Sequence, residues 1–424
     1  MNERFVEGSG MTSRWRWLMR LLLRRIWFRA ALFSLSSVVL ALLAAFVAPF
    51  IPYELSTKIG SDAVDNILGI LASSMLAVTT FSLTAMVSAF SAASGTITPR
   101  ATQLLVEDST AQNALSTFIG AFLFAIVGIC ALSTGIYGTS GRVILYAGTI
   151  LVIAIIVITL LRWIGHLSSF GRVGNTIDRV EKVTHAAIER SGYRVAVAPA
   201  GIPPRRGRRP VFTDKIGYST HIDLIALDKV AARLGCTIDL SIAPGAFVTP
   251  NREIAWLDGG NAANDVEIRD AFTFNHHRQF DHDPRLGLVV LSEIASRALS
   301  PAVNDPGTSI AVLGSGVRVM AALLDQARTG AKDGKRVRLP EIAIEDLLDD
   351  LFRPIARDGA GIVEVAIKLQ RSLAEIAGMV PSAYGPLAMR AADALARCQA
   401  SMTFEADLEC VRTVYRAHWT DPKP

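Results

Sequence analysis

The chain has 424 residues, of which 51% are hydrophobic and 19% charged, with a net charge of +5, a pI near 9.1 and a mean hydropathy of +0.36. A soluble protein of this length carries more charge, and the apolar excess lies in the first ~170 residues, so an apolar membrane half precedes a polar half. The basic balance does not point to nucleic acid, because the densest arginines flank apolar runs, the orientation signal of a membrane protein.

The chain opens with a basic amphipathic segment, residues 1–29, in which SRWRWLMRLLLRRIWFRA alternates arginine with tryptophan and leucine. Such a pattern suits a helix lying at the inner membrane surface, or the start of one long helix with snorkelling arginines. Four apolar runs follow within residues 30–166: Ala30–Ile51, Ile67–Ala93, Ala114–Ile136 and Val143–Leu161. At 1.5 Å per residue each is long enough to cross a hydrocarbon core of about 30 Å. Arg14, Arg16, Arg20, Arg24, Arg25 and Arg29 precede the first run, and Arg162, Arg172, Arg179 and Lys182 follow the fourth. The first connecting loop instead carries Glu54, Asp62 and Asp65 against Lys58. Both termini are therefore expected in the cytoplasm of a bacterial inner-membrane protein, with the first run an uncleaved anchor.

The second run places Ser73, Ala77, Thr80, Thr84, Ser88 and Ser91 at spacings of three or four, on one helical face. Two readings stand side by side. Small and hydroxyl residues let helices pack closely, or the stripe lines a pore built from several copies. The spans contain no Asp, Glu, Lys, Arg or His, which argues against proton-coupled carriers and leaves a passive, oligomeric channel. In the loop after this run, Thr98 is placed to cap a short helix opening at Pro99.

Residues 167–209 read as a linker: a helix over Gly171–Gly192 with Val173, Ile177, Val180, Thr184 and Ile188 on one stripe, then APAGIPPRRGRRPVF. Its arginines meet lipid headgroups or are simply solvated. Residues 210–260 read as a small α/β module of strand, helix, strand, turn and short strand, the helix stopping at Gly235 and the turn at Pro244-Gly245. Residues 261–424 read as a helical cytoplasmic domain, with helices at 265–274, 285–299, 306–328, 341–355, 361–379, 386–402 and 405–418. The fold class is thus an α-helical membrane protein with four transmembrane helices, followed by a cytoplasmic α+β and helical domain. Cys130, Cys236, Cys398 and Cys410 show neither CxxC spacing nor a disulfide framework.

The stretch HHRQFDHDPR, residues 276–285, gathers the only concentrated acid/base chemistry. His276, His277, Asp281 and His282 are candidate ligands for zinc or another divalent ion, although their spacing fits no established site. Acid/base catalysis and a structural role are the alternatives. Asp283-Pro284 and Asp305-Pro306 each precede an apolar-periodic helix, where Asp caps the first turn and Pro suits the first helical position. Gly314-Ser315-Gly316 falls mid-helix and is weak evidence for a phosphate loop.

The block F-D-x-D-P-x-x-G-L-x-x-L-x-x-I-A-x-R-A-L-S-P-x-x-N-D-P-x-T, carried by Phe280 to Thr308, resembles the bacterial membrane-protein family catalogued as domain of unknown function 2254. So do ASSMLAVTTFSL in the second run and ITPRAT after it. The resemblance implies a four-span inner-membrane protein with a cytoplasmic C-terminal domain, and brings no activity, substrate or cofactor. It implies that Phe280, Asp281, Asp283, Pro284, Arg297, Ser300, Pro301, Asn304, Asp305 and Pro306 belong to the family motif and that His276 and His282 do not. Two functions lead, and an enzyme acting on a lipid or small molecule is the third reading. Of the leading two, one is a homo-oligomeric channel in the lipid bilayer with a regulatory cytoplasmic domain. The other is a membrane-anchored sensor or scaffold that binds an unidentified ligand or protein. No catalytic constellation is legible, and no cofactor is called for.

Overall fold

The structure, a computed structural model, describes residues 31–32, 34–36, 38–39, 61–96, 98–106, 108–134, 138–167, 171–192, 194–197, 207–259, 265–329 and 336–420. They fall into two compact units. One draws on the chain from Leu18 to Gly95 and from Thr102 to Arg172, the other on Thr96–Ala101 and on everything from Val173 onward.

The first unit contains α1 (Ser61–Thr96), most of α2 (Pro99–Val106), α3 (Ser109–Ser133) and α4 (Gly138–Leu167). Side chains of α1, α3 and α4 share one apolar core around Leu68, Met75, Phe118, Phe124 and Leu145. The small residues Ala114, Gly120, Ala121, Ala125 and Gly128 on the buried face of α3 permit close approach. At Gly128 a methyl group would lie 3.1 Å from Leu68 Cδ1, so the absence of a side chain lets α1 settle against α3. Asp108 caps α3 by accepting a hydrogen bond from Ala111 N at 2.8 Å.

Among the described residues, four helices are long and apolar enough to cross a membrane: Val64–Ser91, Ser109–Ser133, Val143–Leu167 and Pro306–Asp325. The first three coincide with the second, third and fourth runs expected from sequence. Of the expected first span, only residues 31, 32, 34–36, 38 and 39 are described, and these are helical. The fourth candidate, Pro306–Asp325, belongs to the helix α9 (Pro306–Thr329) of the second unit. It is apolar because neighbouring helices cover it on several sides, the composition expected of a buried core helix.

The second unit begins with α5 (Val173–Ser191), which buries Ile177, Val180, Thr184 and Ile188 as its periodicity requires. Six strands and two helices then build two sheets: β2 (Arg209–Phe212), β3 (Gly217–Ile222), α6 (Leu224–Leu234), β4 (Thr237–Leu240), β5 (Phe247–Val248), β6 (Glu253–Asp258), α7 (Asp265–Asp270) and β7 (Phe272–Asn275). Earlier in the chain, β1 is the short strand Val195–Ala196. Asp223 caps α6 and Gly235 ends it in the left-handed region at φ 63°. One sheet runs β2-β6-β4-β8, where β8 (Val337–Arg338) joins β4 in parallel; the other runs β5-β3-β7, and β1 pairs with β9 (Ile342–Ala343). Here the structure departs from the continuous helical reading after residue 261. The helix expected over 265–274 stops at Asp270, and Phe272–Asn275 pairs antiparallel with β3. The alternating sequence FTFN suits a strand edge, and the pairing partner lies some fifty residues earlier, beyond the reach of local periodicity.

The remaining helices are α8 (Pro284–Ala298), α9, α10 (Ile344–Asp358), α11 (Val363–Met379), α12 (Tyr384–Ser401) and α13 (Glu405–Trp419). Helix α8 packs against α5, α9 and α10, whereas α11 packs against α9, α12 and α13. Two glycines set the tightest crossings. A methyl on Gly287 would meet Thr184 Oγ1 at 1.8 Å, and one on Gly316 would meet Leu351 Cδ2 at 2.6 Å. The Gly314-Ser315-Gly316 sequence is therefore a packing feature of α9, with Ser315 fully buried.

Candidate functional site

Three groups of residues compete for a functional role: the stripe of α1, the polar stretch 276–285, and the segments that carry the family motif. On α1, Ser73, Ala77, Thr80, Thr84, Ser88 and Ser91 are all exposed. The face that packs inward carries Val64, Leu68, Met75 and Met86. With about 100° between successive residues, that face lies across the helix from the stripe. The stripe therefore does not form the contact with α3 and α4. Its hydroxyls satisfy themselves locally: Ser73 donates to Gly69 O at 3.1 Å, Thr80 to Leu76 O at 2.9 Å and Thr84 to Thr80 O at 3.0 Å. Exposed Ile70 and Phe81 flank it on one side and Leu76, Leu83 and Val87 on the other.

The stretch 276–285 is a junction between elements of the second unit. His276 and His277 are exposed. Asp281 accepts a hydrogen bond from Arg190 of α5 at 3.3 Å, and the His282 ring lies 4.8 Å from that of His221 on β3. Asp283 is only 2% exposed. It accepts from Arg278 Nε at 2.7 Å and Arg278 Nη2 at 2.9 Å, and caps α8 through Leu286 N at 3.1 Å. Burial pushes the Asp283 carboxyl above the ordinary carboxylate range, with Arg278 pulling against that rise. Gly245, at φ 90°, presses against the same carboxylate: a methyl there would lie 2.1 Å from Asp283 Oδ2. The aspartate thus ties the Pro244-Gly245 turn to the start of α8. Among the described residues no group of three His, Cys, Asp or Glu side chains is disposed to hold a metal ion. The candidate set His276, His277, Asp281 and His282 is dispersed among different neighbours, with Asp281 engaged by a guanidinium.

The second half of the motif is turn chemistry between α8 and α9. Leu299 closes α8, Asn304 N donates to Ser300 O at 2.9 Å, and Asp305 N returns to Ala298 O at 2.8 Å. Asn304 stands at φ 50°, a left-handed conformation that asparagine tolerates better than most side chains. Asp305 accepts from Thr308 N at 3.1 Å and from Thr308 Oγ1 at 2.6 Å, and Pro306 opens α9. The Thr308 hydroxyl holds the Asp305 carboxyl below its usual range. Ser300, Pro301, Asn304, Asp305 and Pro306 are accounted for by this corner, and Phe280 is half-buried beside the junction.

The carbonyl of Arg297 accepts from Ser300 N at 3.2 Å and from Ser300 Oγ at 2.7 Å within this corner, and the residue also lines a cleft. It lies on one face of α8 with Val289, Ser292, Glu293 and Ser296, at spacings of three and four, and this face lines an open cleft of about 820 Å³. The opposite wall is α10, from Asp349 and Asp350 to Arg357. The third wall is Thr98-Pro99-Arg100, which clusters with the second unit. Thr98 caps α2 through Ala101 N at 3.3 Å, and Arg100 pairs with Glu293 across the cleft. Segments nearly two hundred residues apart, ITPRAT and the long block, thus meet in one place.

A family model described as "Predicted membrane protein (DUF2254)" matches residues 24–375. The chain belongs to this family. The family match takes in α1 to α10, and hence all three walls of the cleft. No curated protein and no solved structure matches the chain. Sequence reasoning found the aspartate caps of α8 and α9 but missed the cleft. The one available signal was that capping and turn rules assigned no role to the side chains of Arg297 and Arg100.

Proposed function

We propose that this protein is the subunit of a homo-oligomeric, channel-like protein of the bacterial inner membrane, with both termini in the cytoplasm and the second unit as its regulator. The observation that carries this reading is the hydroxyl face of α1, exposed and turned away from the face that packs on α3 and α4. Several such faces arranged about an axis would give a wetted wall, while Leu76, Phe81, Leu83 and Val87 remain for lipid or neighbouring subunits. The lack of ionisable groups along Ile67–Ala93 suits passive permeation rather than proton coupling. Regulation has a covalent route, because α1 ends at Thr96 and the chain passes at once into the Thr98–Arg100 wall of the cleft. In this reading the chain performs no catalysis.

The test is the mass of the purified protein in mild detergent, followed by ion flux in liposomes. A closed ring is expected, with flux reduced by Thr80→Val and Thr84→Val, which remove hydroxyls while keeping shape. A monomer, or a ring whose flux ignores both changes, rejects the pore.

A further inference from the structure

The open cleft between α8 and α10 carries side-chain chemistry that the pore does not use. Helices α8 and α10 run side by side in the same direction: Arg285 near the start of α8 pairs with Asp346 in the first turn of α10 at 3.0 Å, and Gly359 just past α10 lies beside Leu299 just past α8. The cleft between them is therefore polarised along its length. Its carboxylate end, Asp349 and Asp350, is already neutralised by guanidiniums from outside the cleft. Asp350 accepts from Arg285 Nε at 2.6 Å and Arg285 Nη2 at 3.2 Å, while Asp349 pairs with Arg353 at 3.2 Å and with Arg390. Its other end carries Arg297 and Arg357 in the last turns of α8 and α10. Arg100 enters from the third wall.

Two of these three arginines are largely exposed, and each pairs with a single carboxylate. Arg100 is 58% exposed and paired with Glu293; Arg357 is 63% exposed and paired with its neighbour Asp358 at 2.6 Å. An exposed, single-contact pair such as Arg100–Glu293 contributes little and exchanges readily. A guanidinium fork matches phosphate oxygens in a bidentate fashion; Arg100 engages Glu293 through one nitrogen, whereas Arg357 holds both oxygens of Asp358 and would exchange one bidentate partner for another. The cleft volume of about 820 Å³ far exceeds one phosphate and falls within the range of sites for drug-sized ligands. Val289, Pro99 and Pro354 supply apolar surface for the rest of such a molecule.

We infer that the cleft between α8 and α10 is a binding site for a phosphate group carried on a larger body, held by Arg100, Arg297 and Arg357. The phosphate belongs either to an anionic lipid headgroup or to a soluble phosphorylated molecule, and Arg100 places its binding four residues from the end of α1. The inference stands apart from the pore, because binding is measured without flux and neither result decides the other.

The experiment uses the full-length protein, stripped of lipid in a neutral detergent. One arm titrates inorganic pyrophosphate; the other titrates phosphatidylglycerol, with diacylglycerol, which lacks a phosphate, as the comparison. Saturable binding in at least one arm is expected, weakened about tenfold or more by Arg297→Gln and by Arg357→Gln, and unchanged by Arg412→Gln on α13. Arg100→Gln, on an exposed side chain, gives the same loss without threatening the fold. Binding in the pyrophosphate arm alone identifies a soluble ligand, and binding in the phosphatidylglycerol arm alone identifies a headgroup. Absence of saturable binding in both arms, or affinities that stay within about twofold in all three cleft variants, overturns the inference.

Discussion

Arg278→Met isolates the buried carboxylate at the start of α8. In the native protein Asp283, 2% exposed, is bound by two guanidinium hydrogen bonds of 2.7 and 2.9 Å and one amide hydrogen bond of 3.1 Å. Removing the guanidinium leaves one backbone donor for a charge that water does not reach, and breaking a buried pair in this way costs about 3–5 kcal/mol. For a unit of this size, where each kcal/mol moves the midpoint by about 2–4 °C, the apparent Tm of the full-length protein should fall by roughly 6–20 °C. Asp283→Asn keeps the acceptor for Leu286 N but removes the charge, so it should cost only about 1–2 kcal/mol. The double variant should be closer to the native protein than Arg278→Met is, giving a coupling of several kcal/mol in the cycle. Acidity supplies a second readout. Without Arg278 the Asp283 carboxyl rises further above its unfolded value, so the folded state takes up a proton first. The deficit of the variant is therefore largest at neutral pH and shrinks as pH falls through the folded pKa. Thermal unfolding followed by tryptophan fluorescence checks both points. A fall of under about 1 kcal/mol, or no recovery on adding Asp283→Asn, would refute the view of Asp283 as a charge kept buried by its partner.

Gly287→Ala forces a methyl into the space of Thr184 Oγ1, 1.8 Å from the position it would occupy. Overpacking of this kind costs about 1–3 kcal/mol, and Thr184→Ala should return part of the lost Tm; an unchanged Tm in the single variant contradicts the tight crossing of α5 and α8. Asp305→Ala removes the cap of α9, at a cost of about 1 kcal/mol at neutral pH. Because the folded carboxyl is lowered, its contribution is present above the ordinary pKa of about 4 and is lost as pH falls through the lowered value. The Tm difference between native and variant should close in that acidic window, and a difference independent of pH argues against the cap.

Local rules made a large part of this molecule legible. Long uncharged runs had to become helices because no water is available to satisfy their backbone in a bilayer, and α1, α3 and α4 follow. Asp-Pro pairs had to start helices, since each supplies an acceptor for a first-turn amide and a residue that needs none, and α8 and α9 begin there. The stripe on α1 was visible as spacing, though not the direction in which it faces. Other features depended on distant chain. Phe272–Asn275 became a strand because β3 offered an edge, and β8 joined β4 from about a hundred residues away. The apolar run of α9 packs among α5, α8 and α11, a choice its composition alone did not distinguish from crossing a membrane.

The sequence by itself determined which segments are apolar, where the capped helices α8 and α9 start, and that the histidine-rich stretch is followed by two capping aspartates. The tertiary structure decided what those residues touch. It sent Asp281, His282 and Asp283 to three different neighbours and brought Arg100, Arg297 and Arg357 to one cleft. The physical reason is range. Capping, periodicity and turn geometry act within a few residues, whereas the partners of a guanidinium or a carboxylate are chosen by packing between segments that the chain order keeps far apart.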